Sequence, residues 1–265
     1  MTRPVTLAAD DVLARAAEWI WVPPFARDLL TPEYRVVAYP DYFAEPTEAF
    51  PVAFDSARDP RGVVDDVLAA AEVLGRDRVA FMGLRETTAP AGLEAHLLER
   101  GGALCETLAV LALDLSGPEP DLGAPEDVEV REVTDLEALR DYDQVGTKVF
   151  GGTARTEEEL ESSLASLAER GRDPMLVAYR HGEPLGTGGF TVAREVLRLW
   201  GGAVLPHARG TGVYRAVLDH RLRTGRARGC RMALVKGRVE TSAPVLRRAG
   251  FTAYGEERAY RLAVG

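Results

Sequence analysis

The stretch Val204-Leu205-Pro206-His207-Ala208-Arg209-Gly210-Thr211-Gly212-Val213-Tyr214 decides how this chain is read. An apolar, strand-like run ends in it, a glycine turn follows, and a helix opens from Gly212 towards Arg228. Glycine reaches positive φ without strain and removes a side chain that would hold a ligand off the backbone. The first amides of a helix have no partner inside it. With the helix dipole they form an anion site suited to a diphosphate. Two well-known diphosphate loops do not fit. The dinucleotide fingerprint needs a third glycine where Arg215 stands, and it follows a first strand, whereas this loop comes late in the chain. The P-loop ends in Gly-Lys-Ser/Thr, which is absent here. A shorter cradle fits, and so does a turn that holds no ligand.

Outward from the loop, strand and helix signals alternate. Residues 127–133 read as a strand, and Asp135 caps a helix carrying Leu136, Leu139 and Tyr142. A second helix starts near Thr156, with Glu157, Glu158 and Glu159 placed favourably in its first turn. Strands follow at 174–180, 184–193 and 196–204. Past the loop helix come a short buried strand at 232–235, a helix at 242–249 stopped by Gly250, and a closing strand at 251–262. Several strands are adjacent in sequence, so the expected fold is α/β with a mixed sheet. The cluster Gly186-Thr187-Gly188-Gly189 precedes no helix and reads as a bent or bulged strand.

Proline and glycine between Ser116 and Glu126 deny both helix and ladder bonds, which marks a linker. Three segments before it repeat the later plan in order. Gly62-Val63-Val64 matches Gly212-Val213-Tyr214, Arg78-Val79-Ala80-Phe81 matches Arg231-Met232-Ala233-Leu234, and Glu86-Thr87-Thr88-Ala89-Pro90 matches Glu240-Thr241-Ser242-Ala243-Pro244. The expected organisation is two related domains in tandem, residues 1–116 and 127–265, joined by 117–126. The first has only Asp59-Pro60-Arg61-Gly62 where the cradle would lie, so it is expected to be a degenerate copy without a cofactor site.

The second half resembles the GNAT acetyltransferase superfamily. Its loop has the form Gln/Arg-x-x-Gly-x-Gly/Ala after a strand ending Val-x-Pro, matched by Arg209, Gly212, Val204 and Pro206. Ala249-Gly250-Phe251 matches its late Gly-Phe. The resemblance implies acetyl-CoA as co-substrate. Backbone groups of Ala203 and Val204 would bind the pantetheine arm. The amides of Gly210, Thr211, Gly212, Val213, Tyr214 and Arg215 would hold the diphosphate, with the acyl carbonyl where two central strands splay. It further implies acetyl transfer to an amine of a small molecule by direct attack in a ternary complex. The alternative is a non-catalytic acyl-CoA-binding module, because the family's proton-transfer positions fall on Leu246, Arg198, Leu234 and Val239. Substitute acids and bases are Glu240, Glu195, Tyr254 and Tyr214. Tyr214 also replaces the loop's final small residue, so its ring must turn aside or cover the cofactor.

Composition fits this reading. The 265 residues carry a net charge of −9, opposite in sign to a nucleic-acid binder, while arginines gather between Arg209 and Arg238. Cys105 and Cys230 lack metal-ligand spacing, so no metal is expected. No signal-peptide core follows Met1-Thr2-Arg3-Pro4 and no apolar run spans a bilayer, so a cytoplasmic protein is expected.

Overall fold

The computed structural model describes residues 7–170 and 173–265; the N-terminal residues 1–4 invoked above lie outside them. In chain order the elements are α1 (Ala9–Ala17), β1 (Arg27–Leu30), β2 (Tyr34–Ala38), β3 (Thr47–Pro51), α2 (Pro60–Val73), β4 (Arg78–Leu84), α3 (Leu93–Glu99) and β5 (Ala103–Asp114). Then come β6 (Glu129–Glu132), α4 (Leu136–Phe150), α5 (Glu157–Arg170), β7 (Met175–Arg180), β8 (Glu183–Ala193) and β9 (Val196–Val204). A single 3-10 turn, Pro206–Ala208, leads to α6 (Val213–Ala227), β10 (Met232–Arg238), α7 (Ser242–Arg248) and β11 (Thr252–Ala263). The fold is α/β with mixed strand directions.

The chain divides into two compact units that do not follow chain order. One holds Met1–Val12, Leu111–Lys236 and Val245–Ala253; the other holds Leu13–Val110, Gly237–Pro244 and Tyr254–Gly265. The loop lies in the first.

In that first unit the strands run β10-β9-β8-β7-β6. β9 pairs antiparallel with β8 and parallel with β10. Val177 and Ala178 of β7 point to opposite faces, as neighbours in a strand must. Val177 and Tyr179 pack with Leu139 of α4 and Leu160 of α5. Ala178 packs with Val213, Ala216 and Val217 of α6. The helix starts follow their sequence signals. Asp135 accepts from the Ala138 amide at 2.9 Å. Thr156 and Glu159 form a reciprocal capping box, amide to side chain at 2.7 and 3.3 Å.

Residues 117–126 contain no regular element but are held along α6. Arg226 donates to the carbonyls of Gly117 at 2.7 Å and Pro118 at 3.1 Å, and Arg223 pairs with Glu119 at 2.6 Å. Part of the arginine cluster, Arg215, Arg223 and Arg226, therefore holds this strap.

The second unit orders its strands β1-β2-β3-β4-β11-β5. β3 and β4 are parallel, and α2, β4 and α3 follow one another as α6, β10 and α7 do in the other unit. Its core gathers Val36, Val64, Val67, Phe81, Leu93 and Leu97 with Tyr260 and Leu262 of β11. A boundary at 117–126 assigns β11 to the second half, yet Tyr260 pairs with Phe81 and Leu262 with Val79. Strand pairing at that separation leaves no local mark in the sequence.

Candidate functional site

Gly210 and Gly212 both have positive φ, +78° and +95°, a conformation that side chains resist. Gly212 is the N-cap of α6 and offers no side chain to its free amides. Among the described residues, none of the amides of residues 210–215 donates to a protein acceptor; the first backbone bond at this end is Ala216 to the Gly212 carbonyl at 3.0 Å. The loop is braced from outside its concave side. The Thr211 hydroxyl donates to the Ala208 carbonyl at 2.8 Å, and Arg180 donates to the Thr211 carbonyl at 3.2 Å while pairing with Asp127. Arg209 is exposed, with Nε 3.4 Å from the Val204 carbonyl. Arg215 turns to the strap, Nη1 lying 3.4 Å from the Leu122 carbonyl. A Cβ on Gly212 would meet Pro125 at 2.8 Å. These features make a cradle of unpaired N–H groups at the start of a fifteen-residue helix.

The strand entering the loop has one open edge. β10 pairs with β9 only from Val196 to Leu199, whereas β8 accompanies β9 to Val204. Residues 200–204, Ala203 and Val204 among them, thus keep their β10-side edge clear where the two strands diverge. The β8–β9 register slips here: Thr187 faces Ala203, but Gly189 faces Trp200. Two residues of β8 span three of β9, and Gly201 takes φ +62°. The glycine-rich part of β8 marks this bulge, but the extra residue sits on β9.

Three side chains converge on the bulge. The Tyr142 hydroxyl of α4 lies where a Cβ on Gly201 would be 2.6 Å away. Burial pushes its phenol up to about 12, so it stays protonated at neutral pH. Tyr214 turns inward beside Gly202, which answers the question its bulk raised. Arg221 of α6 is 1% exposed. It donates to the Val217 carbonyl at 3.3 Å and to the Gly189 and Trp200 carbonyls, each at 3.4 Å, with the Tyr214 phenol beside it. Gly188 makes room for it, since a Cβ there would meet the guanidinium carbon at 3.2 Å, while Gly202 makes room for the Tyr214 ring, also 3.2 Å from a Cβ. The sequence signal for Arg221 was its four-residue spacing from Val217 and Gly225, which puts it on the buried stripe of the helix.

The structure brings Ala203, Val204, Arg209, Gly210, Thr211, Gly212, Val213, Tyr214 and Arg215 together at one end of β9 and the start of α6. It does not bring Glu195 there. That residue turns the chain into the far end of β9, its carbonyl accepting from Arg231 at 2.8 Å. The strand between would span roughly 25 Å at about 3.3 Å per residue. Glu240, exposed, and Tyr254, half-buried, belong to the other compact unit. Leu246, at the family's tyrosine position, is fully buried. Asp141 and Asp143 are engaged already, accepting from Tyr179 at 2.8 Å and Arg155 at 2.7 Å. Among the described residues no His, Cys, Asp or Glu group could hold a metal ion, and no helix is long and apolar enough to cross a membrane.

Residues 137–251 match the model of the Acetyltransferase (GNAT) family. No curated protein sequence matches the chain. Among solved structures, a GCN5-related N-acetyltransferase from Kribbella flavida is similar over 97% of this chain and 96% of its own, with TM-score 0.64 and 16% identity. One from Sphaerobacter thermophilus is similar over 97% of this chain and 86% of its own, with TM-score 0.62 and 20% identity. A tandem GNAT protein from the clavulanic acid biosynthesis pathway covers 96% of this chain and 88% of its own, at TM-score 0.57 and 16% identity. These identities carry the fold, and the fold spans both halves. The cradle and the open strand edge lie within the matched residues, so the second half of the chain is similar to a GNAT-family domain in both sequence and fold.

Proposed function

We propose that the protein is an acetyl-CoA-dependent N-acyltransferase acting on an amine of a small molecule, by direct attack with both substrates bound. The observation that carries this reading is the set of unpaired amides at residues 210–215, beside a strand edge that is open from residue 200 to 204. The amides and the α6 dipole would hold the diphosphate. Backbone groups of Ala203 and Val204 would take the pantetheine arm as a neighbouring strand takes its partner. Acetyl-CoA supplies a thioester whose C–S bond is exchanged for a C–N bond, the displaced thiolate taking up the proton the amine loses. Holding both reactants in register contributes on the order of 7–11 kcal/mol at best. A side-chain base is therefore not essential to the proposal, and Glu240 and Tyr254 stay as candidates for proton transfer.

The first half is proposed to lack a CoA site, for a local reason. At the start of α2, Pro60 has no N–H, and the Asp59 carboxylate accepts from the Arg61 amide at 3.1 Å. That carboxylate puts a negative charge where a phosphate would have to sit.

The test is thermal. Millimolar CoA should raise the melting temperature, as any ligand of the native state does. Gly212→Val should abolish the rise, because its side chain is strained at φ +95° and collides with Pro125. No rise in the wild type overturns the proposal. Thiol release from acetyl-CoA across an amine panel then separates an enzyme from a binding module.

A further inference from the structure

The strap at residues 117–126 runs antiparallel to α6, tied to it by arginines on one face of the helix. Arg226, near the C-terminal end, donates to the carbonyls of Leu115 at 2.5 Å, Gly117 at 2.7 Å and Pro118 at 3.1 Å. Among the described residues its guanidinium bonds nothing else, and its Nε has no hydrogen-bond partner. Arg223 pairs with Glu119 at 2.6 Å and Asp219 at 3.1 Å, all three on the surface, where such pairs contribute little. Arg215 lies 3.4 Å from the carbonyl of Leu122, a buried residue. A segment without ladder partners needs donors for its carbonyls. Water could supply them to a free strap; here Arg226 supplies three at the strap's far end.

The near end of the strap is part of the cradle. Pro125 packs on Gly212, its ring 2.8 Å from where a Cβ would stand. Ala124 packs in the cluster of Val213, Ala216 and Val217 at the start of α6. Just past the strap, Asp127 holds Arg180 at 2.9 Å, and Arg180 donates to the Thr211 carbonyl at 3.2 Å. Pro118, Pro120 and Pro125 stiffen the segment between the two ends, so that a displacement at one is carried to the other. Along the helix, Arg226 is about 20 Å from Gly212 at roughly 1.5 Å per residue. Its side chain cannot reach a diphosphate in the cradle, and any effect it has there must pass through the chain.

We propose that Arg226 is a positioning residue for CoA binding. It seats the far end of the strap, and the strap, through Pro125 on Gly212 and Asp127 on Arg180, holds the turn at residues 210–212 in the shape that presents its amides. This rests on the cradle being a CoA site. A turn held in its binding shape before the ligand arrives spares the ordering that a loose turn would undergo on binding. The coupling is reciprocal: if a seated strap favours CoA, bound CoA favours a seated strap by the same factor. Loss of the far-end bonds is therefore read as lost affinity, and bound CoA is read as a strap that detaches less often.

The test measures CoA affinity of the full chain by calorimetry. Arg226→Met should weaken binding about tenfold. Arg228→Met should leave it unchanged, because that guanidinium faces the Phe190 ring at 5.2 Å and not the strap. Pro125→Gly should weaken binding from the near end, and the double variant with Arg226→Met should bind no more weakly than the worse single one, since both act through one segment. With the best acceptor of the amine panel, Arg226→Met should raise KM for acetyl-CoA about tenfold and leave kcat little changed. Cleavage after Glu119 by a glutamate-specific protease requires the strap to detach, and CoA should slow it several-fold in the wild type. Unchanged CoA affinity in Arg226→Met, or losses that add in full in the double variant, overturns the inference. Should Arg226→Met fail to fold, the wild type decides: cleavage that saturating CoA does not slow overturns the inference. A wild type that does not bind CoA overturns the reading of the cradle instead.

Discussion

Gly212 and Arg221 show two ways a single residue carries meaning. Gly212 could be read from the sequence, because positive φ at a strand-to-helix turn calls for glycine whatever lies around it. Arg221 was hidden in plain view. It sits among arginines that bond the strap, and only its register with Val217 and Gly225 separates it from them. Tyr214 lay between these cases: its position was legible, but not the inward turn of its ring, which depends on the space that Gly202 leaves across the sheet. Buried phenols give a further outcome at this scale. Burial holds the Tyr142 phenol near 12, against about 10 for a free tyrosine, and also raises Tyr39 and Tyr179. A raised folded-state value means that ionisation favours unfolding. The resulting stability is complete below pH 10 and is lost as pH climbs through 12. For Tyr142 the loss is on the order of 2 kcal/mol. Urea unfolding at pH 8, 10 and 11.5 should show the fall, and Tyr142→Phe should make it shallower; equal slopes would mean that Tyr142 ionises freely in the native state.

Elements were the best-read level. The strand expected at 196–204 is β9 to the residue, and the helix expected from Asp135 starts at Leu136. Local chemistry explains why: caps, acidic first turns and glycine stops act within a few residues of where they are written. Asp135→Ala should cost about 1 kcal/mol in urea denaturation, because the Ala138 amide loses its acceptor. A smaller loss in 1 M salt would point to the charge of Asp135 on the helix dipole rather than to the bond itself. Legibility fails where an element's role depends on which end of it meets the ligand. Glu195 and Arg209 flank the same strand, so a base expected at the first end lies a strand's length from the cradle read at the second.

At the scale of the whole molecule, the order of the chain is not the order of its compact units. The repeat was visible as three collinear matches, but nothing in those segments reveals that β11 pairs with β4. That pairing brings Tyr260 and Leu262 into the core of Val36, Phe81 and Leu97, and it seats Glu257 against Arg85 at 2.6 Å. Ending the chain after Ala253 should therefore unfold the unit built mainly from the first half. Burial of the two side chains alone contributes about 3–6 kcal/mol, and a small unit has little stability to spare. Hydrogen exchange is the direct check: amides of β2 and β4 should lose protection in the truncated chain and regain it when a peptide of residues 252–265 is added. Retained protection without the peptide would show that β11 is dispensable.

The placement of β11 also bears on how the protein is made. A ribosome delivers residues 13–110 long before Tyr254–Gly265 exists, so the early half must wait, with an apolar sheet edge uncovered, until that later segment has emerged. Nascent chains that have not yet exposed Tyr254 should lean on holding chaperones, and that dependence should fall once β11 has emerged.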